Sequence, residues 1–307
     1  MSNKNRMRKN TSFKINILAF TACFLWSTGF AGVKIGLNYM PPLLFAGIRF
    51  MLAGLMLLPF CGNLKDYFKN VTKNLKQIIL LGFFQTFCLY SLFFVGMTYI
   101  SGALGAIVVG SSPLIAAVTS HLLLKDDKLN LKKLFFIIFG ISGIVLISIT
   151  RQPLSISGTN EIFGIVLLLC AIASSAIGNV IVSKNKTQLK SFVLTSSQMF
   201  SGGLMIFILS IPIEKFEITN LQFEFFAMLL WLCLVSASGF AIWFYLLQIK
   251  SVKVSELNIW KFMLPVLGAV ISWMIIPDER PELFIIIGMI IVGSSILLFN
   301  TISRKEK

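Results

Sequence analysis

The sequence predicts an all-α integral membrane protein: ten transmembrane helices forming an inverted repeat of two five-helix bundles. Three observations predict it. Fully 56% of the 307 residues are hydrophobic and only 13% are charged, against about a quarter charged in soluble domains; the mean hydropathy is +0.87. Lysines and arginines collect in alternate breaks between apolar runs. The two halves of the chain also resemble each other at a nearly constant offset.

Each bilayer-spanning helix needs about 20 apolar residues. The chain offers such runs at roughly 15–37, 41–60, 76–97, 102–124, 131–149, 161–183, 191–213, 222–248, 254–276 and 282–302. The breaks carry turn and interface chemistry: Pro41-Pro42, Cys61-Gly62-Asn63, Lys125-Asp126-Asp127, Arg151-Gln152-Pro153 and the stretch from Pro277 to Pro281. The links are short and leave no room for a soluble domain. The eighth run exceeds bilayer thickness and predicts a tilt or an interfacial start. A β-barrel is excluded, because barrel strands alternate in polarity over about ten residues. The first run follows a basic segment, Lys4 to Lys14, but is too long for a signal-peptide core and has no small-residue cleavage site after it. It reads as a retained first helix.

The net charge of +15 is a topology signal. Cytoplasmic loops gather Lys and Arg, and 21 of the 27 basic residues fall in the two tails and the even-numbered breaks. The odd-numbered breaks hold only Arg151, Lys215 and Arg280. Both termini are therefore expected in the cytoplasm of a cell whose plasma (inner) membrane the chain crosses many times. No nucleic-acid partner is implied; the expected surroundings are a lipid bilayer and a small-molecule substrate.

The repeat appears in PLLFAGIRFMLAGLMLLP (42–59) against LTSSQMFSGGLMIFILSIP (194–212), which pairs Arg49 with Gln198 and Gly54 with Gly203. The same offset of 149 pairs Gly29 with Gly178, and an offset of 152 pairs Pro113 with Pro265. Five spans is an odd number, so the second copy inserts upside down. Inverted repeats with a midplane site between them are a transporter architecture. Pro113 and Pro265 sit about halfway along their spans, where a proline removes a backbone hydrogen bond and kinks the helix. The expected units are a tail at 1–14, a first repeat at 15–150, an extracytoplasmic linker at 151–160, a second repeat at 161–302 and a tail at 303–307.

The pattern W-S-T-G-F-A-G-V-K-I-G (26–36), then P-x-x-x-A-x-x-R-F (42–50), resembles EamA-type members of the drug/metabolite transporter superfamily. So do Pro113 with Asp126-Asp127, and Pro265 with Asp278-Glu279. The resemblance covers nearly the whole chain. It implies two EamA-like five-helix bundles, alternating access, and metabolite transport that is more often export than import. Two positions depart from the pattern. Ser27 replaces the usual glycine after the first-helix tryptophan, and Gln198 stands at the arginine-like position of the second copy.

Four ionisable residues fall inside spans: Lys34, Arg49, Glu256 and Lys261. Such charges cost about 2.5–3.5 kcal/mol on insertion scales and face a cavity or a partner. Arg49 lies seven residues beyond Pro42, about 10 Å deep at 1.5 Å per residue; its planar fork suits a carboxylate, and its structural reading is a partner for helix carbonyls. Lys261 is similarly deep from the other side. Glu256 is the acidic candidate for proton coupling, with snorkelling as the plainer account. Lys34 is about three residues from the outer end of its span and can also snorkel. Tyr90, Gln198, Asn258 and Trp260 complete the substrate-binding candidates, and Gln85, Ser111, Ser112, Asn179, Trp243 and Tyr245 are further polar or aromatic wall residues. Each has a plainer reading in helix–helix hydrogen bonding or packing.

Three basic groups against one acid inside the membrane favour a substrate bearing a carboxylate: an amino acid or a small organic acid. No phosphate-binding loop, dinucleotide fingerprint or H-E-x-x-H zinc motif is present, so neither cofactor nor metal is expected. The sole histidine, His121, reads as a helix-end residue, and the five cysteines read as unpaired packing residues. The spacing Gly32-x-x-x-Gly36 serves either bundle packing or a homodimer. The alternative to a secondary transporter is a non-transporting polytopic protein, a scaffold or a lipid-modifying enzyme.

Overall fold

A computed structural model describes residues 3–99, 105, 108–151, 159–185, 189–215, 221–275 and 283–305. The helices are α1 (Asn3–Gly36), α2 (Pro42–Met56), α3 (Leu64–Lys73), α4 (Leu75–Gly82), α5 (Leu89–Met97), α6 (Ser112–Leu123), α7 (Leu131–Arg151), α8 (Thr159–Lys184), α9 (Ser191–Ile213), α10 (Phe223–Gln248), α11 (Val254–Asn258), α12 (Met263–Ile275) and α13 (Leu283–Lys305). Among the described residues, six segments are long and apolar enough to cross a membrane: Pro42–Phe60, Leu75–Met97, Asn160–Lys184, Ser191–Ile213, Phe223–Gln248 and Leu283–Ile302. A shorter apolar helix covers Val108–Leu123. Helices α1, α7 and α12 overlap the remaining expected spans without being among those six.

The helix pairings carry the repeat. Helix α2 packs on α9, and α7 on α13. Helix α1 lies against α10 and α12, while its counterpart α8 lies against α5 and α6. Exchanging the helices of the first half, α1 to α7, for those of the second, α8 to α13, maps this set of neighbours onto itself. The equivalent helices also run antiparallel. Along α2, the positions a Cβ would take on Gly47 and Gly54 meet Phe207 and then Ser196 and Phe200. Along α7, Ser295 donates to the Phe136 carbonyl, whereas Gly143 faces Gly288. Rising numbers on one helix meet falling numbers on its equivalent, which is the inversion five-span copies require.

Glycine explains the closeness of α2 and α9. A Cβ on Gly54 would stand 2.7 Å from the Ser196 carbonyl oxygen, and one on Gly203 would stand 2.7 Å from the Met51 nitrogen. Backbone cannot step aside as a side chain can, so these repeat-related glycines set the approach of the two helices. Ser196 then donates to the Gly54 carbonyl at 2.7 Å. Outward faces carry Leu122, Ile138, Leu230, Ile290 and Leu297, as expected where lipid rather than water is the solvent.

Several elements differ from the sequence expectation. The third span is interrupted by a π-helical turn over Phe83–Cys88 between α4 and α5, with no proline there to signal it. The ninth is α11, a 3-10 turn over Ile259–Phe262, then α12. The break after the second span contains a helix, α3, begun by the Asn63 side chain accepting from the Lys65 N–H at 2.9 Å. Its Tyr67 is buried and hydrogen-bonds Ser196; burial pushes that phenol above its ordinary range. Helix α1 begins at Asn3, well before the expected start of the first span, because its basic residues are good helix formers and no glycine or proline interrupts them.

Both prolines expected to kink helices lie beside breaks. Residues 108–110 are helical, Ser111 is a turn, and Pro113 falls in the first turn of α6. Pro265 falls in the first turn of α12, after the 3-10 segment. The first turn is where a missing N–H leaves no bond unmade. Asp278, Glu279 and residues 152–158 of the linker expected at 151–160 lie outside the described residues, whereas Arg151, Thr159 and Asn160 are helical. His121 Nδ1 accepts from the Leu129 N–H at 3.0 Å, a structural role at a helix end, and all five cysteines are free.

Candidate functional site

Helix α2 starts at Pro41-Pro42, and the carboxylate of Glu214 accepts from the Leu43 and Leu44 N–H groups at 2.7 and 2.8 Å. This ties the start of α2 to the end of α9 and places the charge of Glu214 at the positive end of a helix dipole. Two turns further in stands Arg49, 7% exposed. Its Nε and Nη2 donate to Ser236 Oγ on α10 at 3.3 and 3.0 Å. Its guanidinium lies 4.7 Å from the centre of the Phe50 ring, and that ring packs 4.2 Å from Tyr90. Cys233 Sγ donates to the Arg49 carbonyl at 3.3 Å. Among the described residues, no carboxylate hydrogen-bonds this buried cation.

Helix α10 continues the wall from Ser236. Residues 236, 239–240 and 243 share one face at helical spacing. Gly239 leaves room for Trp26 of α1: a Cβ there would sit 2.5 Å from the indole nitrogen. Trp26 stacks obliquely on Trp243 at 5.1 Å and edge-on to Phe240 at 5.3 Å. Beyond Trp243 stands Lys261, its Nζ 5.2 Å from the ring centre. Lys261 and Trp260 ride on the 3-10 turn, and Cys23 of α1 donates to the Trp260 carbonyl at 3.3 Å. Ser236 and Trp243 are seven residues apart, so the Arg49 and Lys261 contacts lie about 10 Å apart along α10.

The repeat-related position is different in kind. Gln198 on α9 is fully buried, and its Oε1 accepts from Thr86 in the π turn at 2.8 Å. Gln85 Nε2 reaches Ser175 Oγ at 3.4 Å, and Ser174 donates to the Phe84 carbonyl at 2.7 Å. Asn258 on α11 donates to the Val254 carbonyl and accepts from Asn179 Nδ2 at 3.2 Å. Glu256, half-buried, lies two residues before Asn258. Across the same end of the bundle, Asp127 accepts from the Ser255 N–H at 2.8 Å and from its hydroxyl.

The residues singled out from sequence thus divide. Arg49 and Tyr90 come together around Phe50, and Lys261 and Trp260 join at the far end of the aromatic wall. Gln198 and Asn258 bond in separate pairs, with Thr86 and Asn179. Lys34 has its backbone in α1, and its side chain lies outside the described residues. The sequence does not single out Ser236, Thr86, Phe240 or the capping carboxylate Glu214, and it marks Asp127 only as part of a break and of the family-like pattern, without its bonds to Ser255. The repeat would have found two of them: Ser236 lies 150 residues beyond Thr86, within one residue of the 149 that relates Arg49 to Gln198.

Comparison with known proteins points one way. The family described as the EamA-like transporter family matches residues 13–149 and again 162–301. An uncharacterized transporter YvbV of Bacillus subtilis (strain 168) is 28% identical over 293 residues, covering 95% of this chain and 92% of that protein. An uncharacterized transporter of Acidianus ambivalens is 31% identical over 268 residues, covering 86% and 94%. A solved crystal structure superposes with a TM-score of 0.76 at 15% identity, covering 96% of this chain and 99% of that one, a likeness of fold.

Proposed function

The chain belongs to the EamA-like transporter family, within the drug/metabolite transporter superfamily, and from that premise we propose that this multi-pass membrane transporter exports a carboxylate-bearing metabolite, an amino acid or a small organic acid, by secondary-active alternating access. The reading includes ten spans, with both termini cytoplasmic in the plasma membrane. One observation carries the substrate class: Arg49 is 7% exposed, sits where the repeats meet, and is hydrogen-bonded to the neutral Ser236. A buried charge is retained where it has a partner, and a serine hydroxyl offers no countercharge. A substrate carboxylate provides it, bidentate on the guanidinium fork.

Alternating access needs elements with two arrangements. The fourth and ninth spans, which pack on each other through α6 and α11, are the ones broken beside Pro113 and Pro265. The Asp127–Ser255 bonds tie them at one end. Rocking of these segments exposes Arg49 to one side and then the other, and release of the Asp127 tie opens that end. Glu256, at the start of α11, is the group through which protons couple to the cycle in this reading.

The test is counterflow in proteoliposomes of the purified chain, with internal pools of carboxylate-bearing metabolites and radiolabelled external tracer. Saturable exchange of a carboxylate compound is expected, and a proton gradient should drive its accumulation. No exchange from correctly folded, reconstituted protein would turn the assignment towards a non-transporting role.

A further inference from the structure

The aromatic wall on α10 has cations at both ends and donors between them. Arg49 bonds Ser236 at one end, and Lys261 covers Trp243 at the other. Between them the indole nitrogens of Trp26 and Trp243 are buried and have no hydrogen-bond partner among the described residues. An indole N–H, an ammonium and a guanidinium are all donors, and none of them accepts. The face therefore offers donors, while its hydroxyl acceptor at Ser236 already receives Arg49 and the Trp243 ring already carries Lys261. It supplies what two separate anionic groups would need.

We propose that the substrate is a small organic dianion, held by Arg49 at one carboxylate and by Lys261 at the other, with the Trp26 and Trp243 indoles donating to its oxygens. This rests on the carboxylate-transporter reading above and narrows it, from any carboxylate-bearing metabolite to one with two anionic ends. Charge balance favours it. Among the described residues no carboxylate hydrogen-bonds either cation, and one dianion neutralises both. Spacing favours it too. The helix positions that Arg49 and Lys261 contact, Ser236 and Trp243, lie about 10 Å apart along α10, a span that a short dianion with an ionic hydrogen bond at each end can bridge. Gly239 has a part in the same design, because any side chain there would displace the Trp26 indole from the wall.

The experiment is equilibrium binding to purified protein in detergent micelles. The probes are straight-chain dicarboxylates of three to six carbons, the monocarboxylates of the same lengths, and L-leucine as a zwitterion. The expected result is a dicarboxylate preference of at least tenfold over the monocarboxylate of the same length, at one or more of the lengths tested. In Lys261→Gln that preference should fall to parity, and in Lys261→Arg it should persist, which separates loss of charge from loss of fold. Equal affinity for mono- and dicarboxylates, or tighter binding of L-leucine, would overturn the dianion site and leave Arg49 as a single-carboxylate clamp. Binding of none of the probes would overturn the dianion site and the carboxylate reading together.

Discussion

Arg49 and Gln198 occupy equivalent places in the two repeats, and their surroundings rhyme. Each projects from the second helix of its copy towards a hydroxyl on the third helix of the other: Arg49 to Ser236, Gln198 to Thr86. One pair is charged; the other is neutral, bonded through Gln198 Oε1 at 2.8 Å, with Gln198 Nε2 left without a hydrogen-bond partner among the described residues. The two repeats supply the scaffold twice, and the residue at this one position decides which copy carries a buried charge. A symmetric fold thus holds an asymmetric site.

The comparison can be broken most completely at the interface on which both pairs depend. Gly203→Leu would force side-chain atoms into the Met51 and Gly47 backbone, where overpacking costs about 3 kcal/mol or more. Size-exclusion chromatography and thermal melts should show folded protein largely lost. Ser236→Ala comes next. Hydrogen bonds to charged groups contribute about 1.5–3 kcal/mol, so Arg49 loses its orientation, substrate affinity falls about tenfold to a hundredfold, and the melting temperature drops as well, because the bond also satisfies a buried cation. Glu214→Ala removes the cap that fixes the start of α2, a loss of about 1 kcal/mol, read as a lower melting temperature with transport retained. Thr86→Val should do least: about 1 kcal/mol of stability or less and flux within about twofold. Transport that depended on Thr86 as strongly as on Ser236 would erase the distinction between the two copies.

The architecture was largely legible in the sequence because the bilayer imposes it. Span length and apolarity follow from hydrocarbon thickness, and the repeat shows in matched glycines and prolines. Arg49 was legible for the same reason, since charge at that depth needs a cause. Its partner Ser236 was not, because a serine in a membrane helix is unremarkable until a cation is found opposite it. The π turn at Phe83–Cys88 was hidden because i→i+5 bonding has no composition signature, and it aims Thr86 at Gln198. The ninth span was read as one helix. It is three segments, and the 3-10 turn that presents Lys261 to Trp243 carries no glycine to mark it. Helix α3 was hidden among lysines that were counted for topology, although Asn63 was there as its cap.

The central claim is that Arg49 is the anion-binding group. The direct measurement is calorimetric titration of purified wild type and Arg49→Gln with the best carboxylate substrate, alongside a thermal melt of each. Arg49→Gln makes the first copy match the second, and its amide can still bond Ser236. The account predicts that binding heat is lost, with affinity at least about a hundredfold weaker, consistent with about 2.7 kcal/mol or more, while the melting temperature stays within a few degrees. Undiminished affinity in a folded Arg49→Gln protein would contradict it.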